Sequence, residues 1–478
     1  MRKTVMSLLA AGMLFTACNK QDNADNPLLQ KWDTPFETAP FEKIKPEHYL
    51  PAFKAAIEQH DKEIQEIVSN KEAATFDNTI AALEFSGQLL SRIQGVYFNM
   101  LAANTSTELQ KAQEEIGPLL AHHSDNVSMN ADLFKRVKAV WDGKDKQSYT
   151  DEQKAVLEKV YKNFVRNGAL LDANKQKELR EVNGELTKVE AKFDANLLAE
   201  TKAYKLVVGK KEDLAGLPQG EIDKAAALAK STGLDGKWVF TLDNPSFIPF
   251  VTYAANRELR KHIFEARINR CNNGGATDNN ALVAKMAELR AKKANILGYE
   301  TFAHYQLEER MAKTPEKVFK LLEDLLSYSV PVAKKEAAEF QKLLDKDEKG
   351  AKLEAWDMYY YAEKVRQQKY DFDAEQTRPY FEIDNVRQGC FETLKKLYGI
   401  SFTERKDISV YAEDVRVFEA KNEKGEHAGI LYWDPFTRDS KQSGAWCNEY
   451  RGQYRQNGKN TTCIITVCFN YAKSPNGR

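Results

Sequence analysis

The sequence has no charge of one sign to spare: 70 Lys and Arg stand against 70 Asp and Glu in 478 residues. A dedicated nucleic-acid binder carries a basic excess or stripe, so no nucleic-acid partner is expected. Long hydrophobic runs are missing too. Past residue 18 nothing approaches the roughly 20 apolar residues that cross a bilayer, which predicts a soluble body. The usual catalytic signatures are absent: no G-x-S-x-G elbow, no P-loop, no G-x-G-x-x-G. The helical zinc motif H-E-x-x-H needs two imidazoles one turn apart with a glutamate to activate the metal-bound water. None of His48, His60, His122, His123, His262, His304 and His427 has a histidine four places later. His304 and Glu308 have the nearest ligand-like spacing, but such a pair is common on solvated helix faces. His122 and His123 point in different directions on a helix and are expected at the surface or as caps. On the residues alone no catalytic group and no metal ligand is assigned.

Cysteine is scarce. Beyond Cys18 there are five: Cys271, Cys390, Cys447, Cys463 and Cys468. An odd count argues against a full disulfide framework. Cys463 and Cys468, five apart on a strand pattern, are expected on opposite sheet faces as buried thiols. A Cys447–Cys463 bridge is the alternative. No repeat of solenoid period is present.

What the sequence does contain begins with MRKTVMSLLAAGMLFTAC. Arg2 and Lys3 form a positive start, Val5 to Phe15 a short apolar stretch, and Thr16-Ala17 lead into Cys18. The segment resembles a bacterial lipoprotein signal, although Phe15 stands where that pattern usually has Leu. The resemblance implies a signal peptide over 1–17, lipidation of Cys18, and an exported body anchored in the bacterial cell envelope through its N-terminal lipid. Residues 18–30 are polar and read as a flexible tether. From Pro27 to Glu200 the pattern is overwhelmingly helical. Leu179, Val182, Leu186, Val189, Phe193 and Leu197 place one apolar stripe along a long helix, a packing feature. Tyr204–Val208 and Lys237–Thr241 read as short strands. Thr314-Pro315 predicts a helix start and Pro331 a break or kink. Asn272 to Asn280, NNGGATDNN, reads as a mobile surface loop. Val415–Ala420 and Ala428–Trp433 read as a hairpin, with further strands at Trp446 and Thr462–Asn470.

Several blocks stand out in order along the chain. They are PFEKIKPEHYLPAF (Pro40 to Phe53), TFDNTIAALEFSG (Thr75 to Gly87), NPSFIPFVTYAANRELRKHIFEA (Asn244 to Ala266) and LRAKKANILGYETFAHYQLEERMAKTPEKV (Leu289 to Val318). WDMYYYAEKVRQQKY (Trp356 to Tyr370), RPYFEIDNVRQGCFETLKKLYGI (Arg378 to Ile400), DVRVFEA (Asp414 to Ala420), SGAWCNEYRGQ and CIITVCFNYAKSPNG follow. As an ordered set these blocks resemble the thimet-oligopeptidase-type zinc peptidases, family M3, in the peptidyl-dipeptidase (Dcp) and oligopeptidase A branch.

The resemblance implies a mainly α fold: the N-terminal helical half of a bilobed zincin-type peptidase with two small β patches. It implies a helical domain over 31–242 and the start of the peptidase domain over 243–478. The implied activity is hydrolysis of short peptides in a helical channel, with zinc as cofactor and a monomeric state. In the family the H-E-x-x-H helix follows the strand that ends in an aromatic-Asn pair. This sequence is therefore expected to be truncated before the zinc motif, to hold no zinc itself and to hydrolyse nothing alone. Loss of the facing lobe is expected to expose a large apolar patch. Gly444 and Ala445 match the segment bordering the substrate cleft, where a peptide could add to a sheet edge; a glycine kept for packing is the alternative. Trp356, Asp357, Tyr359 and Tyr360 match a block near the cleft, serving helix packing or substrate contact. A non-catalytic peptide-binding lipoprotein is the rival function.

Overall fold

The computed structural model describes residues 25–372 and 374–473, so the signal segment, Cys18 and the Ser474–Gly477 turn lie outside the described residues. The N-terminal body is built from α1 (Tyr49–Ser69), α2 (Gln88–Ala103), α3 (Thr107–Ser128), α4 (Ala131–Asp142), α5 (Asp151–Arg166) and α6 (Ala173–Ala203). Each start after α2 has a side-chain cap. Ser106, Asn130, Thr150 and Asp172 accept from the third amide of α3, α4, α5 and α6, worth about 1 kcal/mol apiece. The stripe at Leu179, Val182, Leu186 and Val189 is buried, as its spacing predicts, against Leu289 and Ile296 of α10 (Asn280–Ile296).

The first β patch pairs β1 (Leu206–Val208) antiparallel with β2 (Trp238–Phe240), with α7 (Gln219–Ser231) between them. Helices α8 (Asn244–Tyr253), α9 (Arg257–Ile268), α10 and α11 (Phe302–Leu307) follow. Then come the long α12 (Pro315–Asp347), α13 (Met358–Tyr370) and α14 (Ile383–Tyr398). Thr314 caps α12 and Pro315 sits in its first turn. Pro331 does not break this helix, which continues to Asp347. Proline removes one amide donor and crowds one carbonyl, and the turns on either side carry the chain through.

The second β patch contains the expected hairpin and the strands expected at Trp446 and Thr462–Asn470, and adds one edge strand and a further small hairpin. Strands β3 (Ser401–Glu404), β4 (Arg416–Lys421), β5 (His427–Phe436), β6 (Trp446–Arg451) and β9 (Cys463–Tyr471) form one sheet in the order β3-β4-β5-β9-β6. β9 runs parallel to β5 and antiparallel to β6. β7 (Tyr454–Gln456) and β8 (Lys459–Thr461) make a separate hairpin across Asn457-Gly458, both at positive φ.

Alternation divides the large sheet into two faces. Val417, Ile430, Tyr432 and Ile464 join Phe53, Ile93, Val96 and Tyr97 of α1 and α2 in one core. Phe418, Leu431 and Trp433 lie on the other face with Phe391 of α14 and the half-buried Ile465, Val467 and Phe469. Cys463 and Cys468 take opposite faces, Cys468 buried and Cys463 half-buried. All five described cysteines are free, so the Cys447–Cys463 bridge is not formed. Among the described residues no helix is long and apolar enough to cross a membrane.

Candidate functional site

The sheet order leaves β6 with a partner on one side only. Its far half is covered by α2. A Cβ on Gly95 would stand 2.7 Å from the Tyr450 carbonyl, so glycine is what lets the helix approach. Asn99 Nδ2 donates to the Glu449 carbonyl at 2.9 Å. That carbonyl therefore faces away from β9. Backbone groups alternate sides along a strand, so those of Cys447 face the same outer edge, and Ala445 leads into it just before β6. Ala445, Cys447, Asn448 and Glu449 are exposed.

Gly444 does a different job from the one its neighbour is placed for. Its φ is +108° and a Cβ there would meet open space, so backbone conformation rather than crowding calls for glycine. Its carbonyl is turned inward, accepting from Asn470 Nδ2 at 2.7 Å, and the same nitrogen reaches the Gln442 carbonyl at 3.0 Å. Cys447 presents the open edge and Ala445 leads into it; Gly444 sets its direction.

Beneath this segment lies a buried charged cluster that the sequence reading missed. Asp434, at the end of β5, and Lys441 are both fully buried. Lys441 Nζ contacts Asp434 Oδ1 at 2.9 Å and donates to the Asp434 and Phe436 carbonyls at 3.0 Å each. Arg438 forms a fork on Asp434 at 2.7 and 2.6 Å and reaches the Ala103 carbonyl at 2.8 Å. Tyr411 Oη donates to Asp434 Oδ2 at 2.8 Å. Burial raises the Asp434 pKa, but the bonds from Arg438 and Lys441 outweigh it and hold the carboxyl below its ordinary value. Burial lowers Lys441 despite its carboxylate partner. No motif spacing flags these residues; the only hint is a set of charges interrupting an apolar strand and its loop.

The other expected site residues are placed as follows. Asp357 is fully buried, bonded to Arg257 at 2.8 Å and to Arg260 at 3.0 Å. The Tyr360 ring lies 4.0 Å from the Arg260 guanidinium, and Lys261 lies 5.2 Å from the Trp356 ring. These contacts lock α13 to α9 and favour the packing role; Tyr359 remains exposed. Glu308 accepts from Tyr299 Oη at 2.6 Å and pairs with Arg166. His304 meets Thr301 Oγ1 at 2.9 Å, so His304 and Glu308 do not converge. His123 is not a surface or cap residue as expected. It is buried, with Nε2 2.8 Å from His60 Nδ1 and Nδ1 3.1 Å from Asp61. The reason is the seam between α1 and α3, where the ring packs with His60 against one nitrogen and Asp61 beside the other. The Asn272–Asn280 loop is surface-lying but tied down, Glu200 accepting from the Cys271 amide and Thr277 Oγ1 at 2.9 Å each.

Among the described residues no three His, Cys, Asp or Glu side chains are placed to hold a metal ion. The zinc implied by resemblance therefore finds no fitting donor set among the described residues.

The model of peptidase family M3 matches residues 250–478. Dipeptidyl carboxypeptidase of Escherichia coli (strain K12) is 36% identical over 453 residues, covering 95% of this chain and 66% of that protein. Oligopeptidase A of the same strain is 32% identical over 458 residues, covering 95% of this chain and 67% of that protein. The chain belongs to peptidase family M3. A probable thimet oligopeptidase of Arabidopsis thaliana is similar at a greater distance, 27% identical over 412 residues. The chain spans about two thirds of the length of the dipeptidyl carboxypeptidase, 66%. The edge described above falls within the region that the family model matches.

Proposed function

We propose that this chain binds short peptides in extended form along the open edge of β6, as part of a zinc oligopeptidase related to dipeptidyl carboxypeptidase and oligopeptidase A. The observation that carries it is the outward-facing backbone at Cys447 on the edge strand β6, with Ala445 just before it, inside the matched region. A peptide strand laid there gains main-chain hydrogen bonds irrespective of its sequence, and side-chain pockets add selectivity. In the family, zinc supplies the Lewis acid that polarises a scissile carbonyl and acidifies water. The described residues supply no ligands for it, so no hydrolytic step is assigned to them. These 478 residues are expected to bind peptide without turning it over.

Calorimetry with N-acetyl-tetra-alanine, followed by chromatography of the mixture, tests both statements. Saturable binding with intact peptide is the expected result. No binding overturns the peptide edge, and chelator-sensitive cleavage overturns the assignment of no turnover. We also propose that the mature chain is anchored through Cys18 on a bacterial envelope membrane and acts as a monomer. Radiolabelled palmitate should enter the native chain and not Cys18→Ser; equal labelling of the two would refute the anchor.

A further inference from the structure

We infer that Lys441 is a positioning residue for the peptide edge, a buried ammonium that sets the path of the backbone from Gln442 to Cys447. The inference rests on the peptide-edge proposal for its functional consequence, but its structural part stands alone.

An ammonium has three N–H donors. Those of Lys441 meet three oxygens: Asp434 Oδ1 at 2.9 Å and the carbonyls of Asp434 and Phe436 at 3.0 Å. Two of these acceptors are backbone atoms at the end of β5, so the side chain fixes main chain to main chain across the turn. The loop is fastened on its other side to the end of α2. The Thr105 amide donates to the Ser440 carbonyl at 2.8 Å and the Gln442 amide to the Ala102 carbonyl at 2.9 Å. Ser440 Oγ donates to Asn104 Oδ1 at 2.9 Å. Asn470 then holds the Gln442 and Gly444 carbonyls. Three residues beyond Lys441 the chain turns at Gly444 and opens into the edge.

A buried lysine is a costly way to pack a loop. Leaving its charge without a partner would cost several kcal/mol, and a hydrophobic side chain of similar volume often replaces a buried ion pair without loss of stability. What an apolar replacement could not do is bind two carbonyls at fixed positions. Geometry is thus the property that the charge confers. Asp434, with Arg438 and Tyr411 also on it, keeps one carboxylate satisfied from several sides and so fixes the anchor itself.

The test compares wild-type chain, Lys441→Met and Asn470→Ala by amide hydrogen exchange, thermal melting and binding of N-acetyl-tetra-alanine. Lys441→Met keeps the length and removes the donors. Asn470→Ala acts on the same segment from a side chain that is not part of the buried cluster, and it serves where Lys441→Met fails to fold. The expected result is at least tenfold faster exchange at amides 443–447, with β4 and β5 unchanged and peptide affinity reduced at least tenfold. A merely structural lysine would shift melting and leave local exchange at the edge as it was, which overturns the proposal. Unchanged edge exchange in Asn470→Ala counts against it in the same way. Should wild-type chain bind no peptide, the peptide-edge proposal falls, and the exchange result alone decides whether Lys441 sets the edge.

Discussion

Two stretches of helix in this chain have similar sequence texture and opposite fates. In the N-terminal body, α6 lays its apolar stripe against α10, and α1 and α2 bury Phe53, Ile93, Val96 and Tyr97 beneath the sheet. In α12 the apolar residues of the first half stay in solvent: Phe319 is 62% exposed, Leu322 47%, Leu326 55% and Val332 52%. Burial resumes only at Phe340, Leu343 and Leu344. Tyr380 and Phe381, just before α14, and Leu397 and Tyr398, at its end, are exposed as well. These side chains leave a row of large apolar residues in solvent along α12 and beside α14. The pattern of a helix says which side is apolar and not whether anything covers it.

Ile93→Ala removes a fully buried side chain and should cost about 2–5 kcal/mol in urea unfolding. Leu326→Ala takes away a side chain that is 55% exposed and should change stability by no more than about 0.5 kcal/mol. The second change should instead lower binding of a hydrophobic dye. Equal losses for the two variants would mean that the α12 face is covered in solution.

Much of the architecture was legible because it depends on short-range rules. The α6 stripe, the Thr314-Pro315 start and the hairpin of β4 and β5 all follow from periodicity, capping and turn chemistry. The β7–β8 hairpin carried a signal, Asn457-Gly458, that fits the positive φ such turns demand. Family resemblance drew attention to Gly444 and Ala445, yet not to the backbone anchoring around them, because that depends on the distant donors Asn470 and Asn99. Lys441, Asp434 and Arg438 were illegible for a stronger reason. In sequence a charged residue reads as solvated surface, and only the fold shows that these three satisfy one another in the dark. His123 misled in the same way. Pro331 failed as a breaker because losing one hydrogen bond in a helix of 33 residues leaves many in place.

The smaller effect sharpens the comparison by asking where acid acts first. His60 and His123 meet ring to ring at the α1–α3 seam, with Ser86 Oγ 3.0 Å from His60 Nε2 and Asp61 beside His123. Burial is the main influence on both, and it lowers each pKa from the ordinary 6.5, although Asp61 and Glu63 pull His60 upward and Asp61 does so for His123. The neighbouring His122 lowers His123 further. In the unfolded chain both rings regain ordinary values, so below about pH 6.5 the unfolded state binds more protons than the folded one. The contribution of this pair is therefore complete above that pH and is lost as pH falls through the lowered folded values. Melting temperature should decline on acidification from neutral pH, and His123→Asn should flatten that part of the curve. Amide exchange should rise first along α1 and α3 and only later in α12, whose exposed half has little packing to lose. Earlier acid opening of α12 would place the pH-sensitive seam elsewhere and reverse the contrast between the two regions.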